Sequence, residues 1–595
     1  MNLATLDWII ILVFFAAFLF IGLRLSKKAG SSSKEFFLSG RNMPWWLLGI
    51  SMVATTFSAD TPNLVTDIVR QNGVAGNWVW WAFLITGMLT VFVYAKLWRK
   101  SGVLTDLEFY ETRYSGKEAA FLRGFRALYL GVFFNVMIMA AVSLAAIKIG
   151  EVMFGLEPWK TVVYASLITV VYSSLGGLRG VIVTDFLQFL VAMVGSIAAA
   201  IYIINLPEVG GLTAMLERPE IASKLSLIPD FSDRELFITL LVIPIAVQWW
   251  SVWYPGAEPG GGGYIAQRML SAKDEKNAVS ATLLFNITHY ALRPWPWILI
   301  ALASIVLYPD LDSIRTAFPH IGEGKIGHDL GYSAMLLTLP AGLLGIVVAS
   351  LIAAYMSTIS THLNWGSSYI AFDFYKRFVK PEASEKELVN IGRISTVLLM
   401  VLAGLFSLSL QSAYGYFQIL LSIGAGTGSI FILRWFWWRV NAFSEITGMV
   451  VSFILALLMS SDLNWGPEFL TTISSDYKLL LTVGVTTFSW VAVTFATRPT
   501  DYQTLATFFN SIKPYGSGWN GFKKIAKKEN IHLEKEVGSF SRDILAMFLG
   551  IILVYSALFC TGMFIYGNIS TALILLVIVL ATGFVLSKTW KKLNF

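Results

Sequence analysis

The chain has 595 residues, 56% hydrophobic and 14% charged, with a mean hydropathy of +0.66. That composition excludes a soluble globular domain, because repeated apolar runs of about twenty residues describe a polytopic membrane protein. The net charge of +7 is read connection by connection rather than as a nucleic-acid footprint, and a single cysteine, Cys560, excludes an intrachain disulfide.

Candidate spans run over residues 4–25, 45–68, 77–97, 125–150, 159–176, 180–204, 236–254 and 279–308, then 339–370, 393–411, 413–436, 444–460, 477–497, 542–566 and 569–588. The first, Trp8 to Leu25, lacks a basic leader and a small-residue cleavage site, so it reads as a retained helix. Alternate connections carry the basic residues: Lys27, Lys28, Lys34 and Arg41; Lys96, Arg99, Lys100, Arg113, Lys117 and Arg123; Arg179; Arg268, Lys273 and Lys276. The series continues with Lys376, Arg377, Lys380 and Lys386, then Arg434 and Arg439, Lys513 to Lys528, and Lys588 to Lys592. The intervening connections are poorer in base and include the acidic stretch 461–468. The positive-inside rule makes the basic set cytoplasmic, with the N-terminus outside, the C-terminus inside and the protein multi-pass in a plasma (inner) membrane. Residues 498–541 form the longest cytoplasmic connection, basic and amphipathic, and read as a surface helix plus linker.

Several spans hold groups that a lipid-facing helix does not. Residues 51–62 run Ser-Met-Val-Ala-Thr-Thr-Phe-Ser-Ala-Asp-Thr-Pro. Hydroxyls, then Asp60, then Pro62 predict unwinding near mid-membrane, which frees carbonyls to hold an ion or, alternatively, makes a kink sealed by neighbours. A second interruption is predicted at Tyr254 to Gly263, where two prolines and five glycines follow Trp249, Trp250 and Trp253, forming a cavity wall or, alternatively, a cytoplasmic loop. Asp185 stands just inside a span, facing a partner, water or an ion, or favoured by a helix start. His289 and Arg293 lie one turn apart, with Arg293 available to Glu258, Asp60 or a solute. Two sets of five helices, each opening on a broken helix and of opposite parity, match an inverted-repeat secondary transporter.

In the third helix of the second set, Ser357, Thr358, Ser360 and Thr361 place four hydroxyls in five residues. Ala354 and Thr358 are four apart, as are Ser357 and Thr361, so one helix face presents oxygens. Neutral oxygens suit a small hard cation, and the same residues also serve to join helices in membranes.

The chain resembles the sodium:solute symporter family at Phe36 to Arg41, Pro44 to Trp46 and Gly49 to Ser51. Further matches are Tyr172 to Leu178 with Thr184 and Asp185, Gln267 to Lys273, Met356 to Thr358, and Asp373 to Lys376. The resemblance implies an all-α LeuT-like fold, into which the roughly fifteen apolar runs counted above are placed. In that fold an N-terminal accessory helix (1–30) precedes inverted repeats at 45–205 and 236–440 and C-terminal accessory helices at 441–595. It implies a sodium ion (Na+) held by carbonyls of Ala54, Phe57 and Ala354 and hydroxyls of Ser357 and Thr358, with a second sodium site open to Asp185, Ser360 and Thr361. Ungapped placement puts Thr61, Trp80, Glu258, His289 and Gln418 at solute-contacting positions. These departures lack the family's hexose pattern, Thr56 replaces the acid of the proline carriers, and Arg126 lies at the span's edge rather than at the depth where sialic acid carriers grip a carboxylate. The reading is a sodium-coupled symporter for a small polar solute (sugar, polyol, amino acid or carboxylate), partnered by lipid and not by nucleic acid. A solute sensor on the same fold is the alternative. An enzyme is not indicated: the five histidines lack ligand spacing, and Gly260 to Gly263 lacks the Lys-Ser/Thr of a phosphate loop.

Overall fold

A computed structural model describes residues 3–29, 32–251, 258–410, 424, 426–459, 466–536 and 538–593. Its regular elements are helices, running from α1 (Thr5–Ala29) through α2 (Trp45–Thr56), α3 (Asp60–Asn72), α4 (Val74–Ser101), α5 (Gly116–Phe154) and α6 (Pro158–Ile204). After short helices come α7 (Gly263–Ser271), α8 (Glu275–Leu307), α9 (Leu343–Val379) and α10 (Glu385–Ser407). The remainder are α11 (Ala442–Met459), α12 (Ser475–Ala496), α13 (Tyr502–Ile512), α14 (Asn520–Lys528), α15 (Phe540–Ile565) and α16 (Ile569–Trp590). Ten helices among the described residues are long and apolar enough to cross a membrane, while α2 and the Pro158–Val171 part of α6 are shorter apolar pieces. The protein is a multi-pass membrane protein.

The first interruption falls between α2 and α3. Pro62 does not cause the break by itself: it sits in the first turn of α3, where a missing N–H is tolerated. The second spans Val247 to Gly262, residues 252–257 lying outside the described set. Gly260, Gly261 and Gly263 take φ of 87°, 78° and 51°, a conformation that favours glycine. Two expected spans join as α6, turned at Gly177 with φ 54° and ψ −171°. Asp185 lies beyond the first turns after that kink, so the helix-start reading does not apply to it.

At the centre, α9 packs against α6, α10, α2 and α1. The most apolar window of α9 is 83% buried, against 11% for α16, which turns Ile574, Val577, Leu580 and Phe584 outward. That gradient from a sealed centre to an apolar perimeter is what a bilayer solvent requires. Asp7 of α1 anchors the start of α9, its Oδ1 accepting from the N–H groups of Gly342 (2.7 Å) and Gly345 (2.8 Å). Free amides at a helix start are a ready anion site.

The connection at 498–541 forms two amphipathic helices rather than one helix and a linker. From α13 and α14 it buries Phe508, Phe509 and Phe522, with Trp519 between them, and Phe508 meets Phe109 and Trp435. Half of the expected span 413–436 falls outside the described residues, as does most of the acidic 461–468. Arg113, Arg268 and Arg434, counted above among loop charges, are fully buried.

Candidate ion and solute site

The site begins with the way α2 ends. Thr56 turns its hydroxyl back to the carbonyls of Met52 (3.0 Å) and Val53 (2.9 Å), a bond that loosens a helix. Phe57 follows in an extended conformation, φ −97° and ψ 92°, its N–H still donating to the carbonyls of Val53 (2.9 Å) and Ala54 (3.2 Å). The ring of Phe57 stacks on Trp297 of α8 with centroids 5.0 Å apart and 13° between planes, which fixes the extended residue. Beyond it the carbonyl of Thr55 accepts from the Thr358 hydroxyl of α9 at 2.8 Å.

The α9 hydroxyls therefore face the break. Ser357 Oγ donates to Asp185 Oδ1 at 2.6 Å, and Ser51 Oγ of α2 donates to Oδ2 at 2.6 Å. A hydroxyl that donates its one proton keeps two lone pairs, so Ser357 and Thr358 remain able to accept a cation. Ala54, Phe57, Ala354, Ser357 and Thr358 are all buried, on two helices in direct hydrogen-bond contact. Carbonyl and hydroxyl oxygens are the donor set of a small hard cation. No cluster of histidine, cysteine and carboxylate able to hold a metal occurs among the described residues.

The second set is arranged differently. Ser360 Oγ turns back to the carbonyl of Ser357 at 3.1 Å. Thr361 Oγ1 lies 3.1 Å from Thr55 Oγ1 and accepts from Arg268 Nη2 at 2.7 Å. The same guanidinium stands 3.7 Å from Asp185 Oδ2, and its Nε donates to Ser51 at 3.3 Å. Asp185 and Thr361 are thus bridged by a cationic side chain from α7, while Ser360 bonds within its own helix.

Beside the break lies a cavity of about 370 Å³ lined by Thr56, Ser58, Asp60, Thr61, Asn63, Trp80, His289, Tyr290, Arg293 and Thr358, among others. Thr61, Trp80 and His289, three of the expected solute residues, line it. The Trp80 indole meets His289 edge-on at 5.7 Å and stacks on Tyr290 at 5.9 Å. A π-helical turn at Thr288–Leu292 presents His289, whose Nδ1 is 3.1 Å from Thr56 Oγ1. Glu258 lies apart from that cavity. It lines a separate void of about 50 Å³ and accepts from Arg126 (2.7 Å) and Arg434 (3.4 Å). Glu445 Oε2 is 3.7 Å from Arg126 and 3.8 Å from Arg434, which closes a buried set of two cations and two anions. Thr56, Phe83, His289 and Tyr290 form the wall shared by the two spaces. Gln418 lies outside the described residues. The lining also brings in Asn63, which no motif singled out, and Arg293, which bonds neither Glu258 nor Asp60 but Thr56 and the Val53 carbonyl.

The sequence profile of the sodium:solute symporter family matches residues 36–452. The chain belongs to that family. Its family relatives include the sodium/glucose cotransporter of Vibrio parahaemolyticus, 25% identical over 480 residues covering 77% of this chain and 86% of the relative. Sodium/glucose cotransporter 1 of Oryctolagus cuniculus is 27% identical over 487 residues, 76% of this chain and 71% of that protein. A solved Na+-coupled sialic acid symporter in a substrate-bound outward-open state superposes with a TM-score of 0.67 at 20% identity, over 84% of this chain and 99% of that one. The chain therefore has the LeuT-like architecture of two inverted five-helix sets with accessory helices.

Within this family member the Asp185–Arg268 pair, both fully buried, invites a double-mutant cycle. Arg268→Gln leaves a buried carboxylate without its cation and is expected to cost about 3–5 kcal/mol. Adding Asp185→Asn should recover much of that loss, read as melting temperature in detergent. Additive losses from the two substitutions would show the charges to be uncoupled.

Proposed function

We propose that the protein is a sodium-coupled symporter that imports a small polar organic solute by alternating access. The observation carrying this reading is the bond from Thr358 to the freed Thr55 carbonyl, at a helix break beside a polar cavity. In this reading Na+ is cargo, caged by carbonyls of Ala54, Phe57 and Ala354 and hydroxyls of Ser357 and Thr358. With basic connections cytoplasmic and the N-terminus outside, the cavity faces outward and the Glu258 cluster seals the cytoplasmic side of a plasma (inner) membrane. Thr61, Trp80 and His289 contact the solute from the cavity wall.

The ion and the solute help each other because both engage the broken helix. Sodium pins the break to α9 and so populates the form with a complete cavity wall, an advantage that solute binding returns reciprocally. Arg268 already supplies a positive charge to Asp185 and Thr361, which supports one sodium per cycle rather than two. Each charge crossing 100 mV gains about 2.3 kcal/mol, and a tenfold sodium gradient adds about 1.4, enough at full coupling for about 500-fold accumulation.

Reconstituted liposomes test this directly. An inward sodium gradient, and not a potassium gradient, is expected to drive accumulation of at least one solute from a panel of glucose, myo-inositol, proline and gluconate. Sodium-dependent binding with no accumulation would instead indicate a sensor. Ser357→Ala and Thr358→Ala should each raise the half-saturating sodium concentration about tenfold, near 1.4 kcal/mol, with insertion intact. Unchanged sodium dependence in both would remove the cage.

The inner seal has its own test. Glu258→Gln leaves Arg126 and Arg434 sharing one acid, which penalises the closed form by about 3–5 kcal/mol. A Thr86→Cys probe in the neighbouring void, in a Cys560→Ser background, should then react faster with a maleimide applied from the cytoplasmic side. An unchanged rate would show that this cluster does not hold the seal.

A further inference from the structure

Around the larger cavity, polar side chains have bonding capacity that nothing among the described residues meets. Neither atom of the Asn63 amide has a hydrogen-bond partner among the described residues, nor does Arg293 Nε. Arg293 is the sharpest case, since it is 1% exposed. Its Nη1 donates to the Val53 carbonyl (3.4 Å) and Thr56 Oγ1 (3.2 Å), both neutral. The other buried arginines each have an ion pair or several hydrogen bonds, although Arg113 Nη1, Arg126 Nε and Arg434 Nε are likewise without a partner among the described residues. Arg126 and Arg434 share Glu258 and Glu445, and Arg268 faces Asp185. Arg113 spreads its donors over three main-chain carbonyls, and Arg70 over His328, Ser304 and the Tyr308 carbonyl. The lysines of the cavity mouth are paired too, Lys148 with Asp329 and Lys325 with Glu151.

A buried guanidinium that senses the Asp60 carboxylate but makes no ion pair among the described residues is costly, and inside a membrane such a group marks a ligand path. The rings of Phe57 and Trp297, 5.9 and 5.2 Å from the guanidinium carbon, hold it in place at the cavity wall. Its planar fork matches a carboxylate with two parallel bonds, which a neutral sugar does not offer. Asp60, on the same cavity, forms no ion pair with it among the described residues and is left to accept from donors on the ligand.

We propose that the transported solute carries a carboxylate that docks on Arg293, with ammonium or hydroxyl donors at its other end meeting Asp60 and Asn63. The inference rests on the symport reading of this cavity and narrows it to an acid-bearing class. It departs from the neutral sugars named for the relatives. In its alternative role Arg293 only braces the break, and the experiment separates the two.

The test is binding to the full chain in detergent, by thermal shift and calorimetry, in sodium and in potassium. The probes are proline and glycine betaine (zwitterions), gluconate and lactate (hydroxy acids), and glucose, myo-inositol and prolinamide, which lack the carboxylate. At least one acid should bind about tenfold or more tightly than its counterpart without the carboxylate, gluconate over glucose or proline over prolinamide. Arg293→Lys and Arg293→Gln should weaken that acid by about tenfold to a hundredfold while sodium binding persists. Preference for zwitterions puts an ammonium on Asp60, and preference for hydroxy acids puts hydroxyls there. Equal or tighter binding of the probes without a carboxylate, no response to any acid, or acid binding untouched in both variants would overturn the proposal. Sodium-driven uptake of glucose or myo-inositol with no response to acids overturns this inference and keeps the symport reading. Acid binding that is indifferent to sodium does the reverse.

Discussion

The bond from Thr358 Oγ1 to the main-chain carbonyl of Thr55, 2.8 Å long, joins the two helices on which the rest of the site is built. In an unbroken helix that carbonyl would be spent on the amide four residues ahead. Thr56 back-bonding and the extended Phe57 release it, and α9 supplies the hydroxyl that satisfies it. A carbonyl left unmet in a bilayer is expensive, so the break and the hydroxyl face of α9 require each other. Thr358 also lines the solute cavity, so one side chain touches both halves of the proposed coupling.

The buried charges divide by what they do. Arg268 with Asp185, and Arg126 and Arg434 with Glu258 and Glu445, form neutral sets enclosed by protein. Each ties elements distant in the chain, α6 to α7 in the first set, and α5 and α11 to the second interruption in the other. Such sets contribute definition more than stability, because desolvation offsets most of the attraction. They also cost little to separate if both sides gain water, which suits surfaces that part and meet again during a transport cycle. Arg293, with no ion pair among the described residues, stands outside this pattern, which is why it is assigned to the ligand.

Much of this was legible in the sequence because membrane constraints are local. Apolar run lengths located the spans, and hydroxyls with Asp60 and Pro62 marked the first break to within a few residues. Two prolines and a glycine run marked the second. The four hydroxyls after Ala354 announced a polar seam within a long apolar segment. What escaped were partnerships between residues far apart in the chain. Glu258 reads as a cavity residue until Arg126, Arg434 and Glu445 surround it, and those three come from separate elements. Arg113 and Arg268 pass for loop charges because they fall between predicted spans, and Arg434 because it lies at a span end, places where sequence does not tell burial from exposure. Asn63 carries no motif, and its place on the cavity follows from the turn by which α3 restarts after the break.

The account stands or falls on where sodium sits. The decisive measurement is a pair of high-resolution maps of the full chain in lipid, one in saturating sodium and one with sodium replaced by choline. The account predicts sodium-dependent density within about 2.3–2.6 Å of oxygens from Ala54, Phe57, Ala354, Ser357 and Thr358, the range given for oxygen ligands of a hard cation of this size. Sodium-dependent density beside Asp185 with Arg268 turned away, and none between α2 and α9, would contradict it.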